Sequence, residues 1–111
     1  MIGPLDAEDT RLTAEALMLL GVKVKNYTGR IVITGCDGDI PNSRTTTLDL
    51  ENSGTSLRLL ASIGMLCRHP VVLTGSVRMQ ERPIGPLARA LNALGGSVDF
   101  LGNSGFPPIR V

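Results

Sequence analysis

Two short polar segments hold most of the side chains suited to chemistry. The first, Glu51-Asn52-Ser53-Gly54-Thr55-Ser56-Leu57-Arg58, lies between a run that reads as a strand and one that reads as a helix. A helix N-terminus presents unpaired backbone N–H groups and a positive partial charge, which suits phosphate or carboxylate. Gly54 lets a ligand approach the backbone, Asn52 and Thr55 add hydrogen-bonding side chains, and Arg58 follows about one turn in. The second segment, Leu73-Thr74-Gly75-Ser76-Val77-Arg78-Met79-Gln80-Glu81-Arg82-Pro83-Ile84, sets Arg78 and Arg82 on a loop after a buried strand. Guanidinium forks placed there can meet an anion in two parallel hydrogen bonds. Each segment also has an ordinary structural reading. The first is then a helix capped by Ser53 or Thr55 with Arg58 in water, and the second a surface connector in which Glu81 neutralises one arginine.

The elements that position these segments must come from a chain of 111 residues, which is one domain of ordinary size. Eleven Lys and Arg against ten Asp and Glu leave a net charge of +1, so no charge excess points to nucleic acid or an anionic membrane. Aromatic residues are only 3% of the chain, too few for base-stacking platforms, and the core must be built from Leu, Val, Ile and Ala. Cys36, Cys67 and the single His69 match no zinc-ligand spacing, and the two cysteines read as thiols in a reducing compartment. No signal peptide and no apolar run of membrane-spanning length is visible, so the expectation is a soluble, cytoplasmic chain.

Periodicity gives the order α-β-β-β-α-β-α-β-β. A helix opens at Asp6, with Leu12, Ala16, Leu19 and Leu20 on one face and Gly21 as its C-terminal cap. Val22–Lys25 and Arg30–Gly35 read as strands joined by the turn Asn26–Gly29, and 36–45 as a loop. Thr46–Leu50 is a short strand, and a helix runs from about Thr55 to Cys67 with Leu57, Leu60, Ala61 and Gly64 at core spacing. Pro70–Gly75 is a buried strand, Ser76–Pro83 a polar connector, and Ile84–Leu94 a third helix that Pro83 would start. Ser97–Leu101 and Pro108–Val111 close the chain as strands around an Asn103-Ser104-Gly105 turn. This order implies an α/β unit of layered helices on a mixed sheet, a single domain over 1–111.

One pattern repeats. Ala16-Leu17…Leu20-Gly21…Val24 returns 74 residues later as Ala90-Leu91…Leu94-Gly95…Val98, each followed by a turn and a strand. Agreement of the elements as well as the letters reads as internal duplication.

The two polar segments together resemble those of EPSP synthase, the 3-phosphoshikimate 1-carboxyvinyltransferase family. Asn52-Ser53-Gly54-Thr55-Ser56-Leu57-Arg58 fits that family's N-A/S-G-T-x-x-R stretch, and Leu73–Ile84 fits its L-T-G-x-x-x-M-x-x-R-P-I stretch in full. Leu5-Asp6-Ala7-Glu8-Asp9 is similar to its L-x-S-x-D segment, and Phe106-Pro107-Pro108-Ile109-Arg110 to its Y/L-P-P-L/I-x segment. The resemblance implies the inside-out α/β barrel of the enolpyruvyl transferases, built from repeated helix–strand–strand units. It implies transfer of the enolpyruvyl group of phosphoenolpyruvate to the 5-hydroxyl of shikimate 3-phosphate, with release of phosphate and no metal or organic cofactor. On that resemblance Arg78 and the backbone around Gly54 hold phosphoenolpyruvate with Asn52 and Thr55 nearby. Arg58 and Arg82 either join them or brace the site through a carboxylate such as Glu81, and Asp9 lies at the edge of the cleft without a catalytic role.

Three departures stand out. Glu51 occupies a position usually Gly or another uncharged residue, and Leu59 one that is often Pro. The family's P-G-S-K-S…R segment, its later S-S-Q stretch and its second domain find no counterpart here. The chain is therefore expected to be an interior piece of the first domain, inactive alone, and able to associate with the absent parts or with itself. Two alternatives stay open: a piece of a UDP-N-acetylglucosamine enolpyruvyl transferase, whose catalytic cysteine loop is not evident, and a non-catalytic α/β module. Cys67, at a helix end beside Arg68, reads as a packed thiol in either case.

Overall fold

The centre of the molecule is a pair of parallel strands, each buried on one face, joined by a helix that covers that face. In the computed structural model, which describes residues 1–111, the chain begins with α1 (Glu8–Leu19) and the hairpin β1 (Lys23–Tyr27) and β2 (Arg30–Thr34). Then come β3 (Thr46–Asp49), α2 (Gly54–Gly64), β4 (Val71–Thr74), the single turn α3 (Val77–Gln80), α4 (Gly85–Ala93), β5 (Asp99–Phe100) and β6 (Ile109–Arg110). The main sheet has the order β3-β4-β6-β5, with β3 parallel to β4 and the other two contacts antiparallel. The hairpin β1–β2 forms a separate two-stranded sheet. This is the mixed α/β arrangement that the element order implies. No helix is long and apolar enough to cross a membrane.

Register explains the core. Leu48 pairs with Leu73, Leu73 with Ile109 and Ile109 with Phe100, so one row of apolar side chains crosses all four strands. Leu57, Leu60, Ala61 and Gly64, the helical positions expected to be apolar and inward, are all buried over that row. The opposite face of the sheet carries Thr47, Asp49, Asp99 and Arg110, all exposed, with Arg110 and Asp99 paired at 2.7 Å directly across β5 and β6. Helices and wet face together leave the sheet dry on one side only.

Three local expectations are corrected. Leu19 is 63% exposed, because the stripe of α1 that reaches the core is Leu12, Ala16 and Leu20; the left-handed Gly21 then ends the helix. The connector 76–83 is not wholly loop: Ser76 caps the turn α3 and tucks Met79 into the core. Pro83 does not start α4. Ile84 is its N-cap, tied by its N–H to the Gly105 carbonyl at 2.8 Å, and Pro86 takes the first-turn position where a missing N–H is harmless.

The 74-residue echo reaches the hydrogen bonds. At the end of α1, Gly21 N–H bonds to Met18 and Val22 N–H to Leu17; at the end of α4, Gly95 N–H bonds to Asn92 and Gly96 N–H to Leu91. Both ends carry a glycine in the left-handed region, φ 90° and 93°, the double-bonded helix stop in which glycine meets no Cβ penalty. Each stop is followed by an antiparallel strand pair.

The loop after β2 is held by side chains. Asn42, only 2% exposed, donates to the carbonyls of His69 at 2.8 Å and Arg44 at 3.2 Å, and accepts the His69 N–H at 3.1 Å. Asn42→Ala removes the side-chain partner of the His69 N–H and carbonyl, while the Arg44 carbonyl keeps the Thr46 hydroxyl at 3.0 Å, and should lower unfolding stability by about 2–3 kcal/mol. Leu19→Ala, at an exposed position, should change it by less than about 0.5 kcal/mol. Urea titrations of both variants measure the difference, and equal losses would contradict this account of the loop.

Candidate functional site

Because β3 and β4 run parallel with Asp49 opposite Thr74, the loops that follow them leave the same edge of the sheet. They are the two polar segments. Their backbones then touch: Ser76 N–H donates to the Glu51 carbonyl at 2.9 Å, and a Cβ on Gly75 would lie 2.5 Å from that same oxygen and 2.9 Å from Met79 Cγ. The Ser76 hydroxyl donates to Asn52 Oδ1, and Gln80 Nε2 donates to the Gly75 carbonyl at 3.1 Å. Gly75 is thus required by a close approach of backbone to backbone. Glu51 adopts φ 48°, in the left-handed region where a Cβ is strained.

The N-terminus of α2 stands on a buried hydroxyl cluster. Ser53, not Thr55, is the N-cap, its Oγ accepting the Ser56 N–H at 3.2 Å. The Ser53 hydroxyl donates to the Asp9 carboxylate and its oxygen lies 2.6 Å from Ser56 Oγ, which in turn lies 3.1 Å from the Asp9 carbonyl oxygen. Thr13 Oγ1 lies 2.8 Å from Ser56 Oγ and 2.7 Å from the Asp9 carbonyl oxygen. Four polar residues from two helices, 43 or more positions apart in part, therefore bind the head of α1 to the head of α2. Asp9 acts here as a support for the N-cap. Sequence reading missed Ser76 and this cluster. Ser76 had a signal, a serine three residues before an apolar one in a short turn, whereas nothing local announces the bond from Ser53 to Asp9.

Above that support the arginines converge. A Cβ on Gly54 would lie 2.9 Å from Arg58 Nη1 and 2.8 Å from Arg82 Nη1, so both cations occupy the space the missing side chain leaves. Arg58 also donates to the carbonyls of Gly54 at 3.1 Å and Pro83 at 3.3 Å, which bridges the two segments. The idea that a carboxylate braces these arginines does not hold: the two ion pairs of the chain are Arg68–Asp39 and Arg110–Asp99, and Glu81 joins neither. The guanidinium groups of Arg78 and Arg82 make no hydrogen bond or ion pair within the chain, the Arg82 backbone N–H alone bonding to Met79 at 3.0 Å. Thr55 N–H, in the first turn of α2, also lacks an acceptor, while the neighbouring amides of Gly54, Ser56 and Leu57 are bonded. Of the six residues singled out from the sequence, Gly54, Arg58 and Arg82 meet directly. Asn52 is tied to the second segment through Ser76, the exposed Thr55 flanks Gly54, and Arg78 stands exposed on α3.

A cleft of about 500 Å³ between α1 and the hairpin, lined by residues such as Leu5, Arg11, Met18 and Tyr27, contains none of the six. A second, of about 320 Å³ around Cys67, His69 and Val111, contains none either. Arg58, Arg78 and Arg82 are all exposed to solvent.

A family model described as EPSP synthase (3-phosphoshikimate 1-carboxyvinyltransferase) matches residues 1–111. The chain belongs to the EPSP synthase family. It is 55% identical over 111 residues to the 3-phosphoshikimate 1-carboxyvinyltransferase of Methanoregula boonei, covering 100% of this chain and 26% of that relative. To the enzyme of the same name from Cupriavidus necator it is 39% identical over 107 residues, 96% of this chain and 24% of that relative. A solved EPSP synthase from Acinetobacter baumannii shares the fold with a TM-score of 0.83 and 28% identity, over 96% of this chain and 24% of that one. The α/β architecture described above is thus that of EPSP synthases, and this chain spans about a quarter of the length of the relatives it matches.

Two substitutions on the joined backbones have opposite signs. Gly75→Ala forces the Glu51 carbonyl and Met79 apart and should lower stability by about 2 kcal/mol or more. Glu51→Gly removes left-handed strain and should raise it by up to about 1 kcal/mol, net of the entropy glycine adds to the unfolded chain. Thermal melts of the two variants read both signs, and a stabilising Gly75→Ala would refute the close approach.

Proposed function

We propose that this chain carries part of the substrate-binding face of an enzyme that transfers the enolpyruvyl group of phosphoenolpyruvate to the 5-hydroxyl of shikimate 3-phosphate, releasing phosphate. One observation carries the reading. Arg58 and Arg82 converge on Gly54 at the head of α2 with no carboxylate to neutralise them. Two cations held side by side repel one another, and an anion seated between them relieves that repulsion while gaining charge-assisted hydrogen bonds. The free Thr55 N–H and the helix dipole point the same way.

In this reading the backbone at Gly54 and Thr55, with Arg82 and Arg78, receives the carboxylate or phosphate of phosphoenolpyruvate. Arg58 holds the two segments at the right separation through its carbonyl contacts, and Asn52 offers its amide beside the ligand. Shikimate 3-phosphate, also an anion, is held jointly with parts of the enzyme outside this quarter. The exposure of the three arginines agrees with that division: contacts to developing charge grow strong only when water is excluded, and these side chains stand in solvent. The chain is accordingly an interior portion of a first domain, does not turn over alone, and works in the cytoplasm, where its anionic substrates are made and used.

Amide NMR titration of the chain with millimolar phosphoenolpyruvate, then shikimate 3-phosphate, is the direct test. Shifts are expected at 52–58 and 76–82 and nowhere near the cleft at Met18 and Tyr27. Gly54→Ala should stay folded, since only the flexible ends of two arginines must move, yet it should weaken phosphoenolpyruvate binding about tenfold by displacing both guanidinium groups. Wild-type resonances that stay still at millimolar ligand, in a well-dispersed spectrum, would leave a folded module without anion recognition.

A further inference from the structure

Cys36 and Cys67 come from segments the sequence keeps apart, the loop after β2 and the end of α2, and the fold brings these together. Cys36 opens a tight turn in which its carbonyl accepts the Asp39 N–H at 3.0 Å, with Asp37 and Gly38 both in the left-handed region. The next residue, Ile40, forms a parallel bridge with Cys67 itself. Its N–H donates to the Leu66 carbonyl at 3.1 Å, and its carbonyl accepts the Arg68 N–H at 3.3 Å. Asp39 closes the same junction from outside by a two-pronged ion pair with Arg68, and Asn42 closes it from the other side on His69. Both thiols are half-buried and pack against the same apolar core. The Cys67 Sγ lies 3.7 Å from the Ile63 carbonyl, at the last turn of α2.

We propose that Cys36 and Cys67 are a paired dithiol that closes to an intramolecular disulfide in the folded chain, with a low-molecular-weight disulfide as co-reactant. One thiolate attacks a sulfur of the small disulfide, forming a mixed disulfide and expelling the first small thiolate. The second protein thiolate attacks the mixed disulfide at the protein sulfur and expels the other. In balance, two protein thiols are oxidised, one small disulfide is reduced to two thiols, and two protons pass to the released thiolates. Whichever cysteine begins, Cys67 attacks once. Burial, with a smaller contribution from negative charge at Cys36, pushes its thiol up to about 11. The charged groups beside it, Asp39 and Arg68, neutralise one another. Closure is therefore slow at neutral pH and accelerates as pH rises towards that value, by up to about tenfold per pH unit while the Cys67 step limits. This pair is separate from the arginine surface and does not depend on its ligand.

Incubation of the folded chain with oxidised glutathione at pH 9, followed by intact mass measurement without reductant, tests it. The expected product is about 2 Da lighter than the starting chain, without glutathione attached. Closing a loop of about 30 residues should raise its Tm by roughly 10 °C. Cys36→Ser and Cys67→Ser should each stop at a single glutathione adduct. A wild-type chain that takes up two glutathiones overturns the proposal, as does closure only after urea has unfolded it. No reaction in the folded chain, under conditions where the unfolded chain reacts, overturns it equally.

Discussion

The parallel pairing of β3 with β4 is the constraint on which the rest depends. Parallel strands end on the same side, so the residue opposite Asp49 is Thr74 and the loops after both strands start as neighbours. An antiparallel pair would have sent them to opposite ends of the sheet. From that one relation follow the Ser76-to-Glu51 backbone bond, the contact that only a glycine at 75 permits, and the meeting of Arg58 with Arg82 over Gly54. Ligand sites in sheets of this kind gather at the carboxyl ends of the strands for the same geometric reason. The distance between the two arginines is set mainly by main-chain atoms, and the side chains inherit it.

Support for the cluster comes from below rather than from its flanks. Asp9, Thr13, Ser53 and Ser56 fill the space between the heads of α1 and α2 with hydroxyls and one carboxylate, and Ser53 and Ser56 are among the few fully buried polar residues. A buried polar network holds only if each member is satisfied, and here the Asp9 carboxylate sits at its end as an acceptor. The arrangement also places negative charge behind the helix head while the cations stand in front of it. Arg58 and Arg82 can then stay close together at a wet surface, where solvent screens their repulsion.

Much of the fold was legible because the burial pattern of α2 and β4 is regular. Leu57, Leu60, Ala61 and Gly64 fall at helical spacing, and Val71 and Leu73 alternate with less buried neighbours. Leu19 was misplaced because it lies at the margin of an apolar stripe, where periodicity cannot say which side faces the core. Met79 was missed because a single helical turn is too short to show any period. Pro83 was given the role of Pro86, two first-turn candidates three residues apart that only the Ile84-to-Gly105 bond separates. For the site, residue types and motif spacing named the arginines and Gly54. They left open whether Glu81 neutralises an arginine, because that depends on where Arg58 finds its carbonyls. The Ser53-to-Asp9 bond joins positions 44 apart and leaves no trace in local composition.

The hairpin β1–β2 stands in contrast to the four-stranded sheet. Each of its strands has only one half-buried residue, Val24 and Ile31, and Val32 and Ile33 are 44% and 47% exposed. A two-stranded sheet with so little apolar surface covered is marginal without a neighbour. Its neighbours are α1 and the exposed N-terminal residues 1–3, which bond to Gly29 and Ile31, so it is expected to open more readily than the sheet that carries the arginines. Backbone amides of residues 23–34 should trade hydrogen for deuterium long before those of β4, and a protease meeting the folded chain would find its first cut near Thr28.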